Sequence, residues 1–295
     1  MHHSKALSAV MSSHPDDIKT LLMSKEFYFK YLPIKNIYAA GPEEIHDEIK
    51  RENDERIIFV NENELAGIQR VREIYRGRTR KHPNRSNWYI QQFIKMNFAR
   101  YIHDDYYLIW DSDTIPIKRV EFFDDDMRPC FDMKTEYHEA YFKTMSRILP
   151  GVVKADKRSF ISEHMLIRTE YMRDMLKEIE SQDTLRGKDF QEKILYAVDD
   201  YDLPRSGFSE YETYGSWVLN RHKDSYVLRD WHSFRFAGRL YSSLAQIDED
   251  TREWLAKSYD AITLERYHRP KLYAFLCRTE MFRKHFDSSV LEEIF

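Results

Sequence analysis

The chain of 295 residues contains little cysteine and little glycine. Its two cysteines, Cys130 and Cys277, are too few for a disulfide framework or a cysteine-ligated zinc site. Its eight glycines form neither G-x-G-x-x-G nor G-x-x-x-x-G-K-S/T, which argues against an ordinary dinucleotide site or a P-loop. We therefore expect a protein of a reducing compartment whose site is built without glycine-rich phosphate loops.

An excess of charge of one sign is also absent, since 46 basic residues stand against 50 acidic ones, for a net charge of -4. This balance creates no general field for a polyanion, so we predict no nucleic-acid partner. The sequence contains neither an apolar run of about 18 residues nor a signal-peptide core. We therefore expect a cytoplasmic protein, soluble or in peripheral contact with the inner face of the membrane.

Apolar residues make up 42% of the chain and aromatic residues 15%, which indicates a packed globular protein. Strand-like runs at 7–12, 35–40 and 56–60 alternate with helix-like segments, a pattern typical of parallel βαβ units. In such sheets the ligand binds at the carboxyl ends of the strands. The alternation stops late in the chain. We therefore predict an α/β catalytic domain over residues 1–235 and a helical C-terminal extension over residues 236–295.

The most informative segment is a continuous apolar run, Tyr106–Trp110, that ends directly at two aspartates. Only Ser112 separates Asp111 from Asp113, so we expect both carboxylates at the carboxyl end of a buried strand. Paired hard oxygen ligands suit Mg²⁺ or Mn²⁺, which bind through one or two carboxylates together with substrate phosphates. The alternative is a polar strand end in which the aspartates only cap the next element.

A second acidic segment begins at Ser209 and contains two glutamates. Ser209 and Glu212 fit the S-x-x-E capping box, which explains Glu212 structurally and makes it the second choice as a catalytic residue. Glu210 is the better candidate for a general base that deprotonates an acceptor hydroxyl, and binding the acceptor is its alternative role. The neighbouring rings of Tyr211 and Tyr214 are of the type that stacks on a sugar.

Four ordered motifs resemble a family of bacterial glycosyltransferase-like proteins from surface-polysaccharide clusters. They are W-Y-I-Q-Q-F-I-K-M at 88–96, Y-L-I-W-D-S-D-T at 107–114, E-H-M at 163–165 and S-E-Y-E-T-Y-G at 209–215. The resemblance spans roughly residues 55–235 and implies a GT-A-like, Rossmann-like mixed sheet flanked by helices. It also implies a hexosyltransferase-like enzyme that moves a sugar from a nucleotide-diphosphate sugar to a hydroxyl of a glycan or glycolipid acceptor.

The resemblance assigns the helix before the two aspartates to the donor. It implies that Lys95 approaches the donor's phosphates or base, and that Gln91 and Gln92 hydrogen-bond a nucleobase or sugar hydroxyls. Ser112 belongs to the same donor-binding set as Asp111. For the lysine and the two glutamines the alternative is a plain role at the edge of a core helix.

The resemblance also suggests acceptor-binding residues and a third metal ligand. Glu163 and His164 lie on a short strand where related folds present acceptor-facing residues, although a lone histidine often serves structure alone. Together with Tyr211 and Tyr214 they form the predicted acceptor set. A late histidine completes the metal shell in many GT-A proteins, and His232 is the candidate here. An imidazole ligand suits Mn²⁺ better than Mg²⁺.

The C-terminal segment 265–284 combines basic and aromatic side chains, a composition expected of a peripheral membrane contact. Such a contact would bring the enzyme to a lipid-linked acceptor. The alternative is a helix packed on the catalytic domain with a solvated basic face. The residues concerned are Arg266, Tyr267, His268, Arg269, Lys271, Tyr273, Phe275, Leu276, Arg278, Phe282, Arg283 and Lys284.

Two other functions fit parts of the pattern. A haloacid-dehalogenase-type phosphatase also places two aspartates after a buried strand, and it would use Asp111 as its nucleophile. Its motif carries Thr or Val two residues after the second aspartate, whereas this chain has Ile115 there. The other alternative is a non-catalytic sugar-binding protein, which would use the same cavity without turnover.

Overall fold

The computed structural model describes residues 6–265, 268, 270 and 274–295. It is an α/β structure in which strands alternate with helices through the first half of the chain, as the sequence predicts. The strands are β1 (Leu7–Ser12), β2 (Ile34–Gly41), β3 (Ile57–Asn61), β4 (Tyr106–Trp110), β5 (Thr114–Pro116), β6 (Cys130–Met133), β7 (His164–Arg168), β8 (Val227–Asp230), β9 (Ser233–Phe234) and β10 (Ala261–Thr263).

The helices separate these strands, and the longest of them, α5, directly precedes β4. The helices are α1 (Ile18–Tyr31), α2 (His46–Glu52), α3 (Glu62–Leu65), α4 (Ile68–Arg78), α5 (Arg85–Tyr101), α6 (Glu139–Ile148), α7 (Thr169–Glu180), α8 (Phe190–Ala197), α9 (Glu210–Arg221), α10 (Glu249–Ala256), α11 (Ala274–Cys277), α12 (Glu280–His285) and α13 (Leu291–Ile294).

The main sheet has five strands in the order β3-β2-β1-β4-β7. All neighbours are parallel except β4 and β7, which are antiparallel, so the sheet is mixed. The carboxyl ends of β1 to β4 consequently lie along one edge. Ligands of open α/β sheets bind at such an edge, and it is here that the predicted aspartates follow β4.

Both faces of the main sheet are covered, as expected for mostly parallel strands. Alternate side chains of β4 enter different cores: Tyr107 and Ile109 pack with α4, α5, α7, α8 and α9, whereas Leu108 and Trp110 pack with α1 and α2. This explains why Tyr106–Trp110 reads as a continuous apolar run. Because the two faces are filled with apolar side chains, the polar chemistry is confined to the strand ends.

One strand begins later than its pattern predicts. Residues 159–167 suggest a strand, but β7 starts only at His164. Glu163 has a φ of 64°, in the left-handed region that a side chain other than glycine rarely adopts, and this conformation interrupts the extended backbone. The carbonyl oxygen of Glu163 accepts a hydrogen bond of 2.9 Å from the backbone N–H of Asp111. The irregular residue thus helps to fix the first aspartate.

The C-terminal segment 236–295 is not purely helical. Its strand β10 lies between β5, with which it is antiparallel, and β9, with which it is parallel, in a second sheet. A third core joins Ile115 and Ile117 to apolar residues of this segment, among them Trp254 and Leu291. Three residues are too few to show a strand pattern, which is why the sequence predicted helices alone. The domain boundary at residue 235 stays a prediction.

None of the helices in the described part of the chain combines the length and the apolarity needed to cross a membrane.

A close backbone contact at the end of β2 gives a first test of the fold. A Cβ at Gly41 would lie 2.3 Å from the carbonyl oxygen of Ser13 and 2.7 Å from Cδ1 of Ile45, whereas a Cβ at Gly77 in α4 would meet no atom within 4 Å. We predict that Gly41→Ala lowers the free energy of unfolding by about 1–3 kcal/mol, because backbone must move. Gly77→Ala should raise it by roughly 0.5–1 kcal/mol through helix propensity.

Urea denaturation followed by circular dichroism measures both values. Equal effects of the two substitutions would show that the loop after β1 does not lie against the end of β2 as described.

Candidate functional site

The turn that carries the two aspartates is tied down on both sides. The N–H of Thr114 donates to the carbonyl oxygen of Asp111 at 3.0 Å, and Trp110 Nε1 donates to the carbonyl oxygen of Thr114 at 2.6 Å. From α1, the hydroxyl of Tyr28 donates to the carbonyl oxygen of Ser112 at 2.8 Å. Both carboxylates are therefore presented from a fixed backbone, as their position after a buried strand predicts.

Lys95 lies at the centre of the site. Its Nζ contacts Asp111 Oδ1 at 2.6 Å and Glu210 Oε1 at 2.9 Å, and it lies 3.2 Å from the hydroxyl of Tyr211. That hydroxyl in turn donates to Asp111 Oδ1 at 3.2 Å. Burial alone would lower the pKa of this ammonium, but the charges of Asp111, Glu210 and Tyr211 raise it well above its usual value. Lys95 is therefore a permanent cation that links α5, the β4 end and α9.

Glu210 begins α9 and is held by the same helix that carries Lys95. Its backbone N–H donates to Gln92 Oε1 at 3.0 Å, and Ser209 caps the helix. Burial raises the pKa of Glu210, the Lys95 ammonium opposes that rise, and the Asp111 charge adds to it. A carboxylate of raised proton affinity at the wall of a cavity is suited to accept a proton.

Asp113 has a different environment from Asp111. Burial, and after it the charges of Asp111, Glu265 and Asp17, raises the pKa of Asp113 to about 7. Across the described residues, no lysine, arginine or histidine forms an ion pair with it. A divalent cation is the type of group that stabilises the charged form of a half-buried carboxylate among other acids.

The structure brings most of the predicted donor and metal residues together. They line one cavity at the carboxyl edge of the sheet, between α5, the turn after β4 and the start of α9. The predicted residues in its wall are Gln91, Gln92, Lys95, Asp111, Ser112, Asp113, Glu210 and Tyr211. The structure thus places these eight side chains around one cavity, and their roles stay predictions.

Two predicted residues of α9 lie beneath the cavity. Glu212 is buried; its N–H donates to Ser209 Oγ at 3.3 Å, as a capping box requires, but its carboxylate accepts from the N–H of Phe160 at 3.3 Å. The box is therefore only half formed. Tyr214 is fully buried and hydrogen-bonds Arg168 and Tyr226. The expectation that Tyr214 stacks on a sugar is corrected by this burial.

Glu163 and His164 also face inward. The carboxylate of Glu163 accepts hydrogen bonds from Lys134, Trp231 and Ser233 at 2.8–3.2 Å. His164 is 1% exposed and contacts the carboxylate of Asp132 through Nε2 at 2.7 Å. The expectation that this pair faces an acceptor is therefore corrected: both side chains are buried, because both faces of a covered sheet are interior.

The late histidine of the prediction is not beside the carboxylates. The side chain of His232 is 65% exposed and lies 3.8 Å from Asp260. His268 instead lines a second cavity on the other side of Asp113, together with Asp17 and Glu265. Within the described ranges, no three His, Cys, Asp or Glu side chains are grouped closely enough to hold a metal by themselves. A metal would therefore need ligands from the substrate as well.

Sequence reasoning missed several residues of the two cavities. Arg235 lines the cavity of Lys95 and pairs with Glu136 at 2.7 Å and with Glu265 at 3.5 Å. Trp88 and Tyr141 line the same cavity. Trp88 is the first residue of the motif at 88–96, so its position in the sequence could have indicated that it lies in the site. Arg235 and Glu136 lie in irregular segments where no periodicity indicates the direction of a side chain.

Solved structures of glycosyltransferases show a distant likeness to the chain. Mouse xyloside xylosyltransferase 1 is 11% identical, with 90% of this chain and 99% of that one covered at a TM-score of 0.47. Galactosyltransferase LgtC, in complex with donor and acceptor sugar analogs, is 12% identical, with coverages of 87% and 86% and a TM-score of 0.43. GlyE from Streptococcus pneumoniae TIGR4 is 13% identical, with coverages of 98% and 63% and a TM-score of 0.42.

Among curated proteins, no sequence matches. One family does match, over residues 17–281, which include every residue of the cavity around Lys95 except Ser12. The chain therefore belongs to DUF6492, a family of unknown function.

Proposed function

We propose that this chain is a metal-dependent glycosyltransferase that moves a sugar from a nucleotide-diphosphate sugar to a hydroxyl of a glycan or glycolipid. The observation that carries the proposal is the contrast between two neighbouring carboxylates in one cavity. Lys95 pairs with Asp111, whereas burial and then the charges of Asp111, Glu265 and Asp17 raise the pKa of Asp113 to about 7. This arrangement supports a cation held between the protein and a diphosphate. The resemblance of four sequence motifs favours a role in surface-polysaccharide synthesis.

The donor set fits Mn²⁺ or Mg²⁺. Asp111 and Asp113 would hold the ion, and the diphosphate would supply further oxygens. When bound, such a cation stabilises the negative charge of the leaving nucleoside diphosphate. Of the late histidines, His268 shares a cavity with Asp113 and His232 does not, so His268 is the better candidate for an additional ligand, and imidazole favours Mn²⁺.

The remaining chemistry belongs to side chains of the cavity. Lys95 holds Asp111 in place, and Gln91 offers an amide group to the donor. The amide of Gln92 is buried and already hydrogen-bonds Glu210 and Trp88, so it positions these two residues instead. In the reaction the bond from the sugar carbon to the diphosphate breaks and a bond to the acceptor oxygen forms. Glu210 takes the proton of the acceptor hydroxyl, for which burial has raised its affinity. Tyr211 lines the wall next to this base.

The metal assignment predicts different effects of three substitutions. We expect wild-type protein to bind a nucleoside diphosphate only with Mn²⁺ or Mg²⁺, and Asp113→Asn to weaken that binding at least about tenfold because one charged ligand is lost. His268→Ala should weaken it less, and His232→Ala should leave it unchanged. Isothermal titration calorimetry with and without Mn²⁺ measures each affinity. Unchanged affinity and unchanged metal dependence in Asp113→Asn would contradict the assignment.

The base assignment is tested by two neighbouring glutamates. We predict that Glu210→Gln lowers hydrolysis of a nucleotide sugar, with water as acceptor, by about 10²-fold or more and leaves donor affinity nearly intact. Glu212→Gln should retain most of the rate. Burial raises the pKa of Glu212, so folding favours its protonated form, and the stability it gives is lost as the pH rises through that pKa.

Glutamine carries no titrating charge, so we expect the free energy of unfolding of Glu212→Gln to decrease less than that of the wild type as the pH rises from acidic to alkaline values. Glu55→Gln, on an exposed turn, should show the same decrease as the wild type. If Glu212→Gln removed the hydrolysis and Glu210→Gln kept it, the base would be Glu212.

We also propose a peripheral membrane contact through the C-terminal helices. The residues Arg266, Tyr267, Arg269, Lys271 and Tyr273 of the predicted contact lie outside the described residues, and His268 lies against a cavity. In α11 and α12, however, Phe275, Leu276 and Met281 are more than 60% exposed, and Phe286 follows at 50%. Exposed apolar side chains on short helices beside Lys284 support contact with an anionic bilayer.

Liposome sedimentation tests this contact. We expect the protein to sediment with anionic vesicles at low salt and less at high salt, and a Phe275→Ser, Leu276→Ser double variant to lose most of this binding. The control is Tyr201→Ser, which removes a side chain that is 71% exposed elsewhere on the surface. Absence of binding by the unchanged protein, or equal binding by the double variant, would contradict the proposal.

A further inference from the structure

A further cavity lies next to the one around Lys95, at the carboxyl ends of β1, β2 and β3. The two cavities share Ser12 and Gln91 in their walls. They therefore form one cleft along the edge of the sheet. If the proposed function holds and the diphosphate lies at the two aspartates, the nucleoside part of the donor has this adjoining space to occupy.

The floor of this cavity is backbone. The N–H of Ser13 donates to the carbonyl oxygen of Ala40 at 2.8 Å, and the absence of a side chain at Gly41 lets the two segments approach. Pro15, Pro42 and Ile90 contribute apolar surface. The other lining residues are polar, so the cavity combines an apolar surface for the face of a flat aromatic ligand with groups that can hydrogen-bond its edge.

Glu62, at the start of α3, is one of the polar residues in the wall of this cavity. Its side chain is half-buried, yet it makes no hydrogen bond or ion pair within residues 6–265 as described. Burial raises the pKa of Glu62, the charges of Arg72 and His14 oppose the rise, and that of Glu44 adds to it. A carboxylate in this condition gains from a ligand that brings hydrogen-bond donors.

Arg72 supplies the complementary donors. It lines the same cavity from α4, and the one hydrogen bond described for its side chain is from Nη2 to Asn87 Oδ1 at 3.3 Å. A guanidinium has five N–H groups, so Arg72 retains donors for a ligand. The cavity therefore offers two adjacent acceptor oxygens at Glu62 and several donors at Arg72.

Guanine matches this pattern better than the other bases. Its Watson–Crick edge presents N1–H and the N2 amino group side by side, and one carboxylate accepts both, while O6 and N7 accept from arginine. Adenine and cytosine present a ring nitrogen acceptor to the carboxylate. Uracil presents one N–H between two carbonyl oxygens, so that one carboxylate oxygen would face a carbonyl.

We propose that this cavity selects guanine through Glu62 and Arg72, so that the sugar donor is a guanosine diphosphate sugar. The inference rests on the proposed function, because it places the nucleoside next to a diphosphate at Asp111 and Asp113. It adds which base the donor carries and which two side chains read it.

Calorimetric titration with Mn²⁺ present tests the selection. We expect GDP to bind wild-type protein at least about tenfold more tightly than UDP, CDP or ADP, and about tenfold more tightly than IDP, which lacks the N2 amino group. Glu62→Gln should remove most of the preference for GDP over IDP, because an amide cannot accept two hydrogen bonds side by side. Glu64→Gln, an exposed change on the same helix, should not.

The outcomes separate the two proposals. UDP binding as tightly as GDP, or an unchanged GDP preference in Glu62→Gln, would overturn the guanine assignment and leave the glycosyltransferase proposal standing. If none of the five nucleoside diphosphates bound the wild-type protein with Mn²⁺ or Mg²⁺, the proposed function would fail, and the base assignment with it.

Discussion

The site depends on one buried ammonium, that of Lys95. Taking a lysine out of water costs several kcal/mol unless opposite charges replace the lost hydration, and Asp111 and Glu210 provide them. Such a cluster adds little net stability, but any other arrangement of these three side chains would leave a charge unpaired. The ion pair therefore selects one relative position for α5, the end of β4 and the start of α9. The geometry around the two aspartates follows from that selection.

Much of the fold could be read from the sequence, because hydrophobic periodicity reports which elements are buried. The strand bounds at 7–12 and Tyr106–Trp110 agree with the structure. The pattern failed where elements are short or irregular. Strand β10 has three residues, and β7 begins late because Glu163 adopts a left-handed conformation, which local sequence does not reveal.

The site was predictable in composition but not in contacts. Position after a buried strand singled out Asp111 and Asp113, and the capping box separated Glu210 from Glu212. The contact between Lys95 and Glu210 joins residues far apart in the chain, and no local period encodes it. The orientation of the His164 side chain could not be predicted for another reason. When both faces of a sheet are covered, the alternation of apolar and polar residues no longer distinguishes buried side chains from exposed ones.

The second sheet has a consequence for the order of assembly. Strand β5 follows the aspartate turn directly, whereas its antiparallel partner β10 lies much later in the chain and is synthesised last of the two. Backbone of the same late segment also donates to the carbonyl oxygen of Asp113, from the N–H of Leu264 at 2.9 Å. During synthesis, the main sheet and the Lys95 cluster can form before β10 and Leu264 add their contacts to this turn. The nascent protein can thus form the cavity around Lys95 before the last backbone contacts to its acidic turn are made.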